Sequence, residues 1–178
     1  MAGLFAAVSL RSLNFDVNIF ERSAGDLTNG GAGIATHGEL YDALETAGVE
    51  LKAEMGIQSK GRVMFDNEGK IMHRVAMKQI MTSWGLIYRF LRKQIPKENY
   101  HSEHCLKNLS FSGKSVTAVF ANGDNVTTDW LIGADGARSQ VRRIVAPTIT
   151  PIYAGYLGWR GLIDENLIPK EVVDQLSL

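Results

Sequence analysis

Three groups of residues have types and spacings that could do chemistry. The first is Asp129–Arg143, reading Asp-Trp-Leu-Ile-Gly-Ala-Asp-Gly-Ala-Arg-Ser-Gln-Val-Arg-Arg. The apolar run Trp130–Ile132 predicts a buried strand that ends at Gly133, followed by Asp135-Gly136 and a short basic helix from about Ser139. Open α/β sheets bind ligands just beyond the carboxyl ends of their strands. An ionised Asp135 only accepts hydrogen bonds, which suits ribose hydroxyls. Gly136 lets the backbone turn sharply or approach a cofactor closely. Ser139 can cap the helix, whose free N–H groups would favour a phosphate. The same spacing also describes a bare strand–helix turn with a solvated aspartate.

The second group is Gly3 and Glu21. In a dinucleotide fingerprint the third glycine sits inside the first helix, and an acid about twenty residues on binds a ribose. Both places are filled, although a glycine near a helix start is common. The third group is the loop Gly30-Gly31-Ala32-Gly33-Ile34, with His37 after it. Backbone this free of side chains can pass along a flat ring or a phosphate; it equally describes a surface loop, and a lone His is most often structural. His101, His104 and Cys105 lie in a stretch that reads as extended, where neighbours point to opposite faces, so a metal centre is not expected. No nucleophile motif or Walker loop is present, which favours chemistry borrowed from a cofactor.

The elements that must position these groups follow from local signals. Ala2–Leu13 reads as a small-residue helix and Asp16–Phe20 as a short strand with Glu21 at its tip. Ser23–Gly33 reads as a loop, and Glu39–Ala47 as a helix stopped by Gly48. Arg62–Phe65 and Lys70–Arg74 flank a hairpin turn at Asp66–Gly69. Thr82 or Ser83 caps a helix carrying Trp84, Ile87, Phe90, Leu91 and Ile95 inward. Short strands cover Tyr100–Ile132, with a turn at Asn122-Gly123; Tyr153–Ile163 reads as a further strand and Pro169 as a helix start. The pattern is α/β with antiparallel inserts. An opening helix of this kind expects a strand before it, so the chain reads as beginning inside a βαβ unit. With 178 residues, zero formal net charge and one cysteine, the composition fits a globular protein in a reducing compartment such as the cytoplasm. It makes no electrostatic case for nucleic acid or an acidic membrane.

Together, Met1–Arg22, Gly31–Ile34 and Asp129–Arg142, in that order, resemble the FAD-dependent aromatic hydroxylases, the para-hydroxybenzoate hydroxylase-like monooxygenases. Thr82-Ser-Trp84, Tyr100-His101, Cys105-Leu106 and Tyr153–Tyr156 with Trp159-Arg-Gly161 are similar to the 2,6-dihydroxypyridine 3-hydroxylase branch. The resemblance implies a Rossmann-like FAD-binding fold lacking its first strand. It places a partial FAD-binding domain at 1–148, with about 50–80 as an insert packing toward the substrate side, and a truncated start of the substrate domain at 149–178.

The resemblance also assigns roles. Gly3 belongs to the pyrophosphate turn, Glu21 holds the adenosine ribose, and Arg22 lies by the adenine. Leu106 touches the adenine through its backbone. Gly33 and Ile34 lie along the flavin ring, His37 is a further cofactor-binding candidate, and Asp135-Gly136 approaches the pyrophosphate–ribitol side. Tyr156, Trp159 and Arg160 are candidates for the substrate side. The implied activity is NAD(P)H-dependent hydroxylation of an aromatic or heteroaromatic ring with O₂, without a nucleic-acid or membrane partner; a homodimer is compatible with it. Two positions depart from the family pattern. Trp84 stands where many members carry an Arg that holds FAD, and His37 where Gln is frequent. The family's second Gly-Asp segment and most of its substrate domain are not in the sequence. A non-catalytic remnant, and a flavoprotein that oxidises NAD(P)H without hydroxylation, are the alternatives.

Overall fold

A computed structural model describes residues 1–25, 27, 31, 33–49, 55–158 and 163–176. The elements run α1 (Ala2–Ser12), β1 (Ile19–Phe20), β2 (Gly33–Ala35), α2 (Gly38–Thr46), β3 (Ile57–Phe65), β4 (Ile71–Ser83), α3 (Trp84–Lys93), β5 (Tyr100–His101), β6 (Leu106–Ser112), β7 (Ser115–Phe120), β8 (Asn125–Thr128), α4 (Gln140–Val145) and α5 (Lys170–Leu176). The fold is α/β, with both parallel and antiparallel pairing. It divides into two compact units, Met1–Leu27 with Tyr88–Leu157 and Thr28–Ile87 with Gly158–Leu178.

In the first unit, α1 buries Leu4, Ala7 and Val8. It stops where Asn14 takes φ 64°, a left-handed conformation that Asn tolerates better than most residues. The strand expected over Asp16–Phe20 is ordered as a ladder only at Ile19 and Phe20, which run parallel to Tyr100 and His101. β6, β7 and β8 form an antiparallel meander. Its last turn is the expected Asn122-Gly123, with Gly123 at φ 99°. Strand side chains alternate between faces, so Val116, Ala118 and Phe120 all point one way. With Leu109 they form a buried cluster, against which Phe20, Leu131, Val141 and Ile144 pack.

One expected strand is not formed, and the described part of another is irregular. Trp130–Ile132 joins no ladder; Trp130 is 84% exposed and Ile132 59%, and only Leu131 turns to the core. A strand needs a neighbour to exchange backbone hydrogen bonds with, and none stands beside this run among the described residues. Residues 153–158, the first part of the other expected strand, are irregular, and Gly155 sits at φ 90°, outside the pleated region. Residues 159–162 lie outside the described residues.

In the second unit, β4 runs at the centre of a three-stranded antiparallel sheet, order β2-β4-β3. The β3–β4 hairpin is longer than its turn signal suggests, but the turn is the expected one. Asp66 Oδ1 accepts from Glu68 N at 2.9 Å and Lys70 N at 2.8 Å, and Gly69 takes φ 80°. α2 buries Leu44 and gives way at Gly48, φ 74°. Ser83, rather than Thr82, caps α3: its Oγ accepts from Leu86 N at 3.1 Å. Of the hydrophobic residues on and just after that helix, Ile87 in this unit and Tyr88, Leu91 and Ile95 in the first unit are buried.

Candidate functional site

The segment from Gly133 to α4 is built from local chemistry. Gly136 takes φ 78°, which a residue with a Cβ adopts only with strain. This turns the chain so that Asp135 faces the start of α4. Asp135 Oδ2 accepts from Gln140 N at 2.6 Å and Val141 N at 3.1 Å, and Ser139 Oγ accepts from Arg142 N at 2.9 Å. The first N–H groups of α4 are therefore satisfied from within the chain. The expectation that they stand free for a phosphate is corrected: the aspartate seven residues before Arg142 occupies the helix end instead. Burial by itself would raise the Asp135 carboxyl, but hydrogen bonds from Ser139 and from the backbone of Val141, Gln140 and Asp135 outweigh it. Its pKa is held below the ordinary carboxylate value.

Close packing sets the rest of this corner. A Cβ on Gly133 would lie 2.7 Å from Val141 Cγ1, so this glycine lets α4 sit against the chain. A Cβ on Gly3 would meet the Ala134 Cβ at 3.3 Å. Gly3 therefore packs near Ala134 of the loop before α4. Between them lies an open cleft of about 480 Å³, lined by Ala2, Gly133–Gly136 and Arg142 among others. Around Gly136 a Cβ would meet nothing within 4 Å, so the cleft leaves its backbone approachable. Arg142 Nη2 donates to Ala137 O at 2.5 Å, while its buried Nε has no partner. Arg142 and Gly133, both within the motif segment, also line this cleft. The signals were a basic residue one turn beyond a serine cap and a glycine six residues before that cap.

Glu21 follows β1 and is held in place by backbone. Its N–H donates to His101 O at 2.8 Å, its C=O accepts from His104 N at 2.9 Å, and its Oε1 accepts from Ser23 N at 2.9 Å. Burial holds the Met1 amine below its ordinary pKa, and the Glu21 carboxylate opposes that shift; the same carboxylate acts on Tyr100. Burial, with a hydrogen bond to Tyr88, pushes the Tyr100 phenol well above its usual range. Glu21 therefore stands near the start of α1, as the fingerprint spacing anticipates. Arg22 is exposed beside it, and Leu106 opens β6 opposite Phe120 with its side chain on the core. His101 stacks on Phe20 at 4.7 Å and His104 Nε2 lies 3.0 Å from Asp124 Oδ2. Both imidazoles belong to this aromatic cluster.

In the second unit, Gly33 and Ile34 pair with Ser83 and Thr82. His37 precedes α2 with extended backbone, its Nδ1 3.5 Å from Gln79 Nε2. Thr36 Oγ1 donates to Ile80 O at 2.9 Å and meets the Tyr41 hydroxyl at 3.0 Å. Gly31 lies against Trp84; Gly30 and Ala32 are outside the described residues. Of the substrate-side candidates, Tyr156 is 77% exposed, and Trp159 and Arg160 lie outside the described residues.

No protein-family model matches the chain. The chain is 35% identical over 176 residues to the 2,6-dihydroxypyridine 3-monooxygenase of Paenarthrobacter nicotinovorans, a match covering 99% of this chain and 43% of that enzyme. It is 28% identical over 180 residues to an FAD-dependent urate hydroxylase of Mycolicibacterium vanbaalenii, covering 93% and 45%. The solved structure of 2,6-dihydroxypyridine-3-hydroxylase from Arthrobacter nicotinovorans superposes with a TM-score of 0.86 at 34% identity, over 97% of this chain and 44% of that one. The chain spans less than half the length of these relatives. Motif order, fold and sequence likeness agree: over nearly its whole length the chain is a relative of the FAD-dependent aromatic hydroxylases and monooxygenases.

Proposed function

We propose that the chain is the FAD-binding part of a monooxygenase that consumes NAD(P)H and O₂ and hydroxylates an aromatic or heteroaromatic ring. The observation that carries this is the cleft at Asp135-Gly136, where the open space around Gly136 leaves its backbone approachable by a phosphate-bearing cofactor. In this reading Gly3, Glu21, Arg22, Leu106, Asp135 and Gly136 are neighbours of the nucleotide half of FAD. Glu21 accepts from the ribose and Gly136 allows close backbone approach. Gly33 and Ile34 are assigned to the flavin ring, His37 to the cofactor, and Tyr156, Trp159 and Arg160 to the substrate. When bound, the flavin supplies the redox and oxygen chemistry; the protein orients it and excludes water. Asp135 stays ionised because α4 needs it as an acceptor, so it positions the turn and does not move protons.

The domain division follows the same reading, with 1–148 as cofactor-binding and 149–178 as the beginning of the substrate part. A cytoplasmic setting is supported by the single cysteine. Among the described residues, no helix is long and apolar enough to cross a membrane.

The test begins with the purified chain and free FAD, followed by difference absorbance and flavin fluorescence. Saturable binding that weakens in Glu21→Gln supports the assignment, and a chain that ignores FAD overturns it. With flavin bound, NAD(P)H oxidation is compared with the yield of hydroxylated ring from a dihydroxypyridine and from other electron-rich aromatics. Peroxide without product would remove the hydroxylase reading.

A further inference from the structure

Gly31 sits at φ 101°, and a Cβ added to it would lie 2.6 Å from Cγ and 2.7 Å from Cβ of Trp84. Real Cβ atoms do not come this close, so the Gly31 backbone lies directly on the root of the indole. Two residues later, Gly33 and Ile34 pair with Ser83 and Thr82, the residues just before Trp84. One short stretch of backbone is thus held at two adjacent points, by a ladder and by a ring. The ring is itself anchored, because Ser83 Oγ accepts from Leu86 N and fixes the first turn of α3. The corner also carries a stability cost. Thr82, 7% exposed and opposite Ile34, keeps a buried hydroxyl without a partner. Buried polar groups are nearly always paired.

We infer that Trp84 is a positioning residue for the planar flavin ring. Its flat indole packs on the Gly31 backbone, two residues before the Gly33–Ile34 ladder along which the proposed function seats the ring. The inference rests on that proposed function. It differs from a core-filling role for Trp84 in depending on a planar side chain. Phe offers Gly31 a flat Cγ, whereas the tetrahedral Cγ of Leu projects a methyl group toward it.

The test uses the full chain with free FAD. Dissociation constants, the visible circular dichroism of the bound flavin and melting temperatures are measured for Trp84→Phe, Trp84→Leu and Gly31→Ala. Trp84→Phe is expected to keep the affinity within about threefold and to keep the dichroism; Trp84→Leu and Gly31→Ala are expected to weaken FAD about tenfold and to change the dichroism. Equal affinity and dichroism in Trp84→Leu and Trp84→Phe overturn the positioning role and leave FAD binding intact. An unaltered chain that takes up no FAD removes the proposed function, and this inference with it.

Discussion

The glycine at Gly136 and the glycine at Gly31 both take positive φ, 78° and 101°, but their surroundings differ. A Cβ at Gly136 would meet nothing within 4 Å, whereas one at Gly31 would run into Trp84. Gly136 is required by torsion alone, and the reward is local, because the turn brings Asp135 to the head of α4. Gly31 is required by torsion and by space, and the residue that demands the space is 53 positions away in the sequence. Gly133 is a third case, where the requirement is space alone, set by Val141. Glycines that look interchangeable in a motif therefore answer to different forces, and each can be broken separately.

The largest effect is expected at Gly31. Gly31→Ala combines left-handed strain with overpacking and should cost about 2–4 kcal/mol in chemical denaturation. Adding Trp84→Ala should recover the packing share and leave the torsional share; a double variant no more stable than Gly31→Ala would remove the indole from the account. Gly133→Ala should cost about 1–3 kcal/mol by crowding Val141. Val141→Ala made in the same chain is expected to relieve most of it, as a thermal melt would show. For Gly136→Ala the expected cost is about 1–2 kcal/mol, with no rescue by any neighbour. If trimming Val141 rescued it, the division between torsion and space would collapse.

The smallest effect is a change in pH dependence. Asp135 has a lowered pKa in the folded chain, so its contribution is fully present above the ordinary aspartate value near about pH 4. That contribution is lost as pH falls through the lowered folded value. Asp135→Asn should lower stability at neutral pH by less than the loss of a buried pair, because the carboxylate is exposed and screened. It should also flatten the acid limb of the stability profile. An unchanged acid limb would mean that the head of α4 does not depend on the charge.

Local chemistry made much of the fold legible. Asn122-Gly123, Asp66 with Gly69, the Ser139 cap and the stops at Asn14 and Gly48 are short-range devices whose partners lie within a few residues, so types and spacing suffice to find them. Gly3, Glu21, Asp135 and Gly136, the first-unit residues proposed to meet the cofactor, sit at element ends, where the sequence marks turns. The Trp130–Ile132 strand was misread because apolar content reports the tendency to be buried, while a ladder also needs a neighbour. The strand expected from Tyr153 failed at Gly155, whose positive φ no pattern of apolar residues reveals.

By itself, the sequence determined the α/β class, the turns, the helix caps and the motif order that marks the family, because each depends on contacts of short reach or on spacing along the chain. Only the tertiary structure decided that Asp135 is spent on the head of α4 and that Gly133 makes room for Val141. It also decided that the Arg142 Nε is buried without a partner, and that Trp84 fills the space beside Gly31. Those outcomes depend on which atoms exclude one another at close range. Spacing along a chain does not specify that until the chain is folded.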